Sequence, residues 1–507
     1  MIERITAIVR ADFLIRFRRL STVIIFLLLS GFAYVWIPAP ATGRTLMQIN
    51  GARVLYNSAA IGIGTSMLAS IFIGLFGFYV ISNAVRRDID SRCGYVIAST
   101  TMRTGEYVIG KFLGNVVFLS TFVGGYMAVS MVMQLVRGEA PLEPLVFLQQ
   151  YALMTPATIV FVSVAAIVFE SIPFLSGRFG DVLYFILYAV SLGFVGSTME
   201  HAGSESMARY FDISGFGFMF EQTRRTFHTT SMSIGSSSFN PAIRPLLIGG
   251  LELSGRDWLT RIVSTLVSTP LLLLAWLFFH RFDPARLRAA GAKGKRGWLR
   301  QFSALAKPLV RPFALIPVRG AAFKDAMMTF SMTPFAGLAL IGITIAALAN
   351  PKSLPVTFAL AAVFIADVAS RDRRAATTGL ISAAPRLRER FVTWKLASAV
   401  IVALLLLIAP VVRAALHPAA LLPLLTGILF IAAAATALGV ISGNPKTFIV
   451  LFLTFWYVVV NDKGATKALD FAGFFSTPAM TVMLMYLAIA IVMLATAEGV
   501  HRARLRA

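Results

Sequence analysis

Apolar residues in this 507-residue chain are collected in long blocks that short polar or basic segments separate. Most blocks are about 16 to 25 residues long, and a helix needs roughly 20 apolar residues to cross a hydrocarbon core. Hydrophobic residues make up 57% of the sequence and charged residues only 14%, whereas a soluble domain is about a quarter charged. The sequence therefore predicts an all-α polytopic membrane protein.

The blocks predict twelve transmembrane helices in a cell membrane of the inner-membrane type. Their approximate limits are 20–39, 61–84, 112–135, 150–170, 180–198, 259–280, 330–349, 355–370, 396–416, 419–441, 446–461 and 476–497.

The net charge of +23 is explained by the orientation of such a chain. Lys and Arg are enriched in cytoplasmic loops, and most of them fall on one side if the N-terminus is cytoplasmic. The sequence thus predicts that both termini are cytoplasmic, and no soluble domain remains to bind nucleic acid. The basic clusters on the predicted inner side are Arg4 to Arg19, Arg86 to Lys111, Arg281 to Lys324, Arg371 to Lys395 and Arg502 to Arg506.

Cysteine and histidine residues offer little chemistry. The single cysteine, Cys93, excludes a disulfide within the chain. The five histidines lie far apart and none has the helical spacing of a metal ligand pair, so the sequence predicts no metal site.

Two inner loops resemble each other, which predicts an internal repeat. They read RRDIDSRCGYVIASTTMRTGEYVIGKF (86–112) and SRDRRAATTGLISAAPRLRERFVTWKL (370–396). We infer a first six-span half (1–280), a basic cytoplasmic linker (281–322) and a second six-span half (323–507). Without gaps, Arg87 aligns with Arg371, Asp88 with Asp372, Ile97 with Ile381, Tyr107 with Phe391, Val108 with Val392 and Lys111 with Lys395.

The N-terminal segment has the period of an amphipathic helix, with Arg4 and Arg18 opposite its apolar face and Arg16 on that face. It is either a helix in the membrane interface or the cytoplasmic start of the first span. The segment 318–330 is its weaker counterpart in the second half. The apolar face consists of Ile2, Ile5, Val9, Phe13 and Phe17.

The stretch TGEYVIGKF matches the spacing of a phosphate-binding loop through Gly105, Gly110 and Lys111. Such a loop needs Ser or Thr after the lysine, and this chain has Phe112. It must also join a strand to a helix, whereas both flanks are predicted to be helical. The sequence therefore does not predict a nucleotide site at this stretch.

The two loops are about 26 residues each, whereas joining two helices takes about 2 to 8. Each contains a short apolar stretch, 94–99 or 379–384, followed by a break at Thr100–Thr101 or at Pro385. This pattern predicts a short interfacial helix, a turn and the next span. The alternative for the two lysines is simple anchoring at the membrane interface.

These loops and the preceding interfacial helix resemble the permease of ABC exporters of the second type, the type V exporter fold. In that family an acidic residue after the second span is followed by glycine, an apolar stretch, a break and an aromatic–x–x–x–Lys run. The second loop departs from this pattern, since Arg374 stands where Asp90 stands in the first. The resemblance implies ATPase-coupling roles for Arg87, Asp88, Asp90, Tyr107, Lys111, Arg371, Asp372, Phe391 and Lys395.

The resemblance further implies that this chain is the permease component of an ATP-driven exporter and is itself no enzyme. ATP and Mg²⁺ would be bound by a separate ABC ATPase subunit, in two copies, and membrane lipid would surround the spans. No cofactor is implied in this chain. If the loops couple to an ATPase, we expect the charged pairs present in both copies, Arg87 with Asp88 and Arg371 with Asp372, to face the cytoplasm. The long outer segment 199–258 against the short 462–475 departs from two-fold symmetry.

Two other classes remain open. A secondary transporter also has related halves, but it would show ionisable residues in mid-membrane, and no predicted span has one at its centre. A membrane enzyme would need a nucleophile with a base or a metal constellation. His201 and Glu205 are a weak pair of that kind within 199–258, a segment read either as a packed outer cap or as a gating element.

Overall fold

The computed structural model describes residues 1–172 apart from 19, 83 and 92; 175, 180–181, 183–185, 187–188 and 190–192; 207–279 apart from 229–230 and 252; and 320–506 apart from 333–335, 351–352, 376, 463 and 465. The chain divides into two compact units, Met1–Ala289 and Ala290–Ala507. Most of the predicted linker, and the predicted pair His201 and Glu205, lie outside the described residues.

The first unit begins with two helices and then has a hairpin before its long spans. A π-helical turn, Ile73–Gly77, joins the helices Ser58–Phe72 and Phe78–Ile81. The helices are α1 Ile2–Phe17, α2 Leu20–Trp36, α3 Ser58–Phe72, α4 Phe78–Ile81, α5 Ala84–Asp90, α6 Cys93–Ser99, α7 Thr104–Arg137, α8 Pro144–Ser171, α9 Phe216–Phe227, α10 Gly255–Leu266 and α11 Leu272–Phe278.

The first unit also contains a small antiparallel sheet, so it is not all-α. Strand β1 (Arg44–Ile49) pairs with β2 (Ala52–Arg53) on one side and with β3 (Met232–Ser238) on the other. The all-α prediction omitted this sheet because β3 lies far from β1 in the chain and neither strand has a clear alternating pattern. Its pairing ties the described part of 199–258 to the connection between α2 and α3.

A core cluster beneath the sheet packs the 199–258 segment onto the helices. Met47 of β1, Ile63 of α3, Met154 of α8 and Phe218 of α9 are all buried in it. Burying each such apolar side chain away from water stabilises the unit by about 1.5–3 kcal/mol. The described part of 199–258 is therefore packed, as a cap would be.

The second unit is helical throughout its described residues. Its helix α18 is followed directly by α19, and the axes of the two differ by 76°. The helices are α12 Ala321–Met332, α13 Ala336–Ala349, α14 Leu354–Ile365, α15 Arg371–Arg374, α16 Thr378–Ser382, α17 Pro385–Glu389, α18 Phe391–Leu406, α19 Ile408–Ala415, α20 Pro418–Ser442, α21 Pro445–Asp462 and α22 Met480–Arg506.

Several of these helices are long and apolar enough to cross a membrane, which is compatible with a multi-pass membrane protein. Six qualify singly among the described residues, and the bent pair α18 and α19 makes a seventh if it counts as one span. The predicted spans 20–39, 330–349, 355–370 and 446–461 coincide with apolar helices of 17, 14, 12 and 18 residues. The six are Ser58–Ile89, Thr104–Arg137, Pro144–Ser171, Gly255–Phe278, Pro418–Ser442 and Met480–Arg506.

The predicted short helices in the two loops are present. In the first loop α6 ends at Ser99, and α7 begins at Thr104 after the predicted break. In the second loop α16 is followed by α17, which has Pro385 in its first turn. Proline is well tolerated there because its missing N–H would have no partner within the helix.

Candidate functional site: two buried charge clusters

The N-terminal helix α1 lies against the start of α7 at very close range. A Cβ atom built on Gly110 would lie 2.8 Å from Cδ1 and 3.1 Å from Cβ of Ile8. A Cβ atom on Gly114 would lie 3.6 Å from Cβ of Asp12, whereas one on Gly105 would meet nothing within 4 Å. Gly110 thus allows two helices to approach each other. The GxxxxGK spacing lies within the single helix α7, a geometry that cannot cradle phosphate.

The first charge cluster consists of Asp12, Arg87, Asp88 and Lys111. The Lys111 ammonium lies 2.9 Å from Oδ1 of Asp12 and 2.6 Å from Oδ2 of Asp88. The Arg87 guanidinium contacts the same Asp12 oxygen and lies 3.6 Å from Oδ1 of Asp88. One lysine on α7 is therefore held between a carboxylate of α1 and a carboxylate of α5.

The first cluster is buried and continues along α1 through Arg16. Lys111, Asp12 and Arg16 are each at most 3% exposed. The Arg16 guanidinium lies 3.8 Å from Oδ2 of Asp12 and donates to the Ile81 carbonyl at 3.4 Å. This explains why an arginine stands on the apolar face of α1: the face that packs on α7 is partly ionic.

The charge balance favours an ionised Asp12. Burial raises the pKa of this carboxyl group, but the positive charges of Lys111, Arg16 and Arg87 outweigh that effect. The pKa of Asp12 is therefore lowered from its ordinary value of 3.8.

Neighbouring groups hold α5 and the loop in place around the first cluster. Tyr107 donates its hydroxyl hydrogen to Oδ2 of Asp88 at 2.9 Å. Glu170 at the end of α8 accepts from the backbone N–H groups of Ala84 and Val85 at 3.1 and 2.7 Å. A carboxylate at a helix N-terminus is stabilising because it satisfies free N–H groups and the helix dipole. Glu170 thereby positions the helix that carries Arg87 and Asp88.

The second charge cluster consists of Asp325, Arg371, Asp372 and Lys395. The Lys395 ammonium lies 3.3 Å from both carboxylate oxygens of Asp325 and also contacts Oδ2 of Asp372. Arg371 reaches Oδ1 of Asp325 at 2.6 Å and donates to the Thr329 hydroxyl at 2.8 Å. Lys395 is fully buried.

The two clusters are built in the same way on corresponding elements. In each, a lysine in the first two turns of a helix (α7 or α18) is held between an aspartate on the helix α1 or α12 and an Arg-Asp pair on the short helix α5 or α15. The lysine also lies near an aromatic ring: 5.3 Å from the Tyr107 centroid, and 5.8 and 4.2 Å from those of Phe391 and Trp394. Such contacts stabilise a cation by about 0.5–2 kcal/mol.

Sequence reasoning missed Asp12 and Asp325, the carboxylates that complete the clusters. The signal was present: aligning the two amphipathic segments without gaps puts Asp12 on Asp325 and Phe17 on Phe330. An acidic residue on the packed face of an amphipathic helix is costly unless it is paired. Asking where its partner lay would have led to the lysines.

The expectation that Asp88 and Asp372 face the cytoplasm is wrong. The Asp88 side chain is 10% exposed and that of Asp372 is 17% exposed. Both turn inward because a buried lysine needs a counter-charge and can reach it only there. The side chain of Asp90 lies outside those that the structure describes. The other predicted site residues, Arg87, Tyr107, Lys111, Arg371, Phe391 and Lys395, all line the two clusters.

The short loop helices α6 and α16 expose apolar side chains. On α6, Ile97 packs beside Val85 and Tyr107, while Tyr95 and Val96 are 45% and 66% exposed. On α16, Leu380 is 77% exposed. The helix α6 thus packs next to the first charge cluster, and both α6 and α16 expose apolar side chains.

The charged groups of the two clusters are taken up in ion pairs. In the described part of the chain, no group of three or more His, Cys, Asp or Glu side chains could hold a metal ion. Each lysine of the clusters is already paired with two carboxylates, so neither acts as a nucleophile in this state. Comparison with protein-family models, curated proteins and solved structures found no match to this chain.

Proposed function

We propose that this chain is the membrane-spanning permease of an ATP-driven exporter that works with a separate ATPase. The observation that carries the proposal is the duplicated charge cluster. Each cluster joins the helix α1 or α12, the short loop helix α5 or α15 and the start of α7 or α18, and α6 or α16 follows that loop helix within a few residues. A movement applied to the loop helix would therefore reach a span without being lost in loop flexibility.

The exposed apolar residues of α6 and α16 suit a docking role. Val96 and Leu380 lie on helices of seven and five residues that carry little of the core. Contiguous exposed apolar patches rimmed by polar residues mark interaction surfaces, and on α6 the neighbouring residues Tyr95 and Val96 are both exposed. We propose that two copies of an ABC ATPase bind these helices, and that ATP and Mg²⁺ are held by that partner.

The proposal includes twelve spans in two six-span halves with both termini cytoplasmic. Labelling of single cysteines tests this in intact cells, in a Cys93→Ser background. An impermeant thiol reagent added outside should label Ala242→Cys and should not label Ala503→Cys. Labelling of Ala503→Cys alone would show that the chain has the opposite orientation. Labelling of both variants would contradict the predicted number of spans between the two sites.

Coupling is tested with the purified transporter. A tagged chain isolated from its native membrane should co-purify an ATPase that carries its own phosphate-binding loop, while the chain alone should hydrolyse no ATP. Leu380→Arg should abolish co-purification, because a charge at a buried apolar contact typically costs several kcal/mol. Leu505→Arg, at a partly exposed site near the end of α22, is the matched control. ATP hydrolysis by the isolated chain would refute the proposal.

A further inference from the structure

The bend between α18 and α19 places a short helix across the end of a span. The 16 residues of α18 extend about 24 Å at 1.5 Å per residue, somewhat less than a hydrocarbon core of ~30 Å. The chain then turns by 76°. On α19 and just after it, Ile408, Val412 and Leu416 are 47%, 59% and 75% exposed. Their spacing of four residues makes one apolar stripe, as in a helix lying in the membrane interface.

A cavity of about 180 Å³ lies behind this helix. It is at the end of α18 opposite to the second charge cluster, between α13, α14, α19 and the start of α20. Its lining includes the apolar residues Leu354, Pro410 and Leu424 and the polar residues Ser353, Arg413 and His417.

Arg413 is a cation without a counter-charge in the described part of the chain. Its Nη1 donates to the Ala347 carbonyl at 3.0 Å, which fixes the guanidinium at the cavity. It forms no ion pair with any described carboxylate, unlike the arginines of the two charge clusters. His417, one turn further on, is exposed and lines the same cavity. Both groups carry N–H donors, and a positioned guanidinium binds phosphate oxygens in a bidentate manner.

We infer that this cavity binds the anionic head group of a membrane phospholipid. The phosphate accepts hydrogen bonds from Arg413 and His417, and the first carbons of the lipid lie along Leu354 and Leu424. The cavity is smaller than the ~300–1,000 Å³ of a drug-sized site, so the acyl chains stay outside it. The inference goes beyond the permease role and holds whether or not the chain exports anything.

The position of the cavity fits a lipid better than a soluble anion. Arg413 and His417 lie at the end of the apolar helix α18, where phospholipid phosphates are concentrated. The exposed stripe of α19 continues from the cavity edge and offers acyl chains an apolar surface. A cation at that level beside an apolar wall is the arrangement that recognises an amphiphile with an anionic head.

Native mass spectrometry of the whole chain in detergent tests the inference, with phosphatidylglycerol and phosphatidylcholine added in equal amounts. We expect wild type to retain phosphatidylglycerol preferentially. Arg413→Gln should weaken this retention about tenfold or more, because a charge-assisted hydrogen bond is lost. Arg413→Lys should retain part of the preference. Leu354→Trp, which fills part of the cavity while keeping the cation, should also weaken it.

Arg506→Gln, an exposed arginine at the end of α22, controls for general charge. Equal retention of the two lipids by wild type, or equal retention of phosphatidylglycerol by wild type and both cavity variants, overturns the inference. Inorganic phosphate is a separate arm. If it protects wild type from thermal unfolding as well as phosphatidylglycerol does, and Arg413→Gln removes that protection, the site binds free phosphate and the lipid assignment is wrong.

Discussion

Replacing Asp12 by asparagine tests whether the first charge cluster holds the first unit together. Asp12 is 2% exposed, and its carboxylate contacts Lys111, Arg87 and Arg16. Without its charge, Lys111 and Arg87 are left with the carboxylate of Asp88, and Arg16 loses its contact with Asp12. Breaking a buried ion pair by removing one partner costs about 3–5 kcal/mol. At roughly 2–4 °C per kcal/mol, the Tm should fall by on the order of 10 °C.

The assay is thermal unfolding in detergent, followed by the intrinsic fluorescence of the purified chain. Glu3→Gln is the matched control, because Glu3 is an exposed acidic residue on the same helix. The double variant Asp12→Asn/Lys111→Met removes the most buried opposite charges together. Its loss in free energy of unfolding should be smaller than the sum of the losses in the two single variants, by about 0.5–3 kcal/mol.

Two results would refute this reasoning. One is a Tm of Asp12→Asn equal to that of Glu3→Gln, which would mean that the cluster contributes nothing to stability. The other is strict additivity of the Asp12 and Lys111 substitutions, which would mean that the two charges do not interact.

Further predictions concern the helix contact, the acid range and the loops. Gly110→Ala should lower the Tm, because overpacking typically costs about 1–3 kcal/mol. Gly105→Ala is the control and should leave the Tm unchanged or raise it, since a Cβ atom there meets nothing within 4 Å. Equal effects of the two substitutions would contradict the close approach of α1 to α7 at Gly110. Because folding lowers the pKa of Asp12, the stabilisation that its carboxylate gives to the fold is complete above about pH 4 and is lost as the pH falls further. The difference in Tm between wild type and Asp12→Asn should therefore shrink in acid. A difference that widens in acid would contradict the lowered pKa. Asp88→Asn and Asp372→Asn should each lower the Tm as well as transport, since both carboxylates contact a buried lysine; loss of transport at an unchanged Tm would restore the solvent-facing interpretation.

Local sequence features predicted much of the helical structure of this chain. Apolar blocks gave the positions of the long helices because a membrane span must satisfy its backbone hydrogen bonds within itself. The short loop helices followed from an apolar stretch and a break. The β1–β3 pairing could not be found in this way, because it depends on a contact between segments that are remote in the chain.

The charged sites were only half predictable. Repetition pointed to Lys111 and Lys395, but a repeat does not reveal which way a side chain turns. Placing Asp88 and Asp372 at the cytoplasmic surface followed from the coupling role that the resemblance implies. In the structure both carboxylates turn inward, because a buried ammonium group nearby requires a counter-charge. Only the approach of α1 and α12, which bring Asp12 and Asp325, makes that requirement visible.

The separation of the cluster residues along the chain sets an order for biogenesis. Asp12 leaves the ribosome 99 residues before Lys111, and Asp325 leaves it 70 residues before Lys395. Until each lysine is synthesised, the aspartate on the amphipathic helix lacks its main partner, so that helix must wait at the wet surface of the bilayer. Closure of each cluster is then a late docking event between protein segments, and no carboxylate has to enter lipid alone. Truncations that end before residue 111 should leave the N-terminal helix accessible to protease.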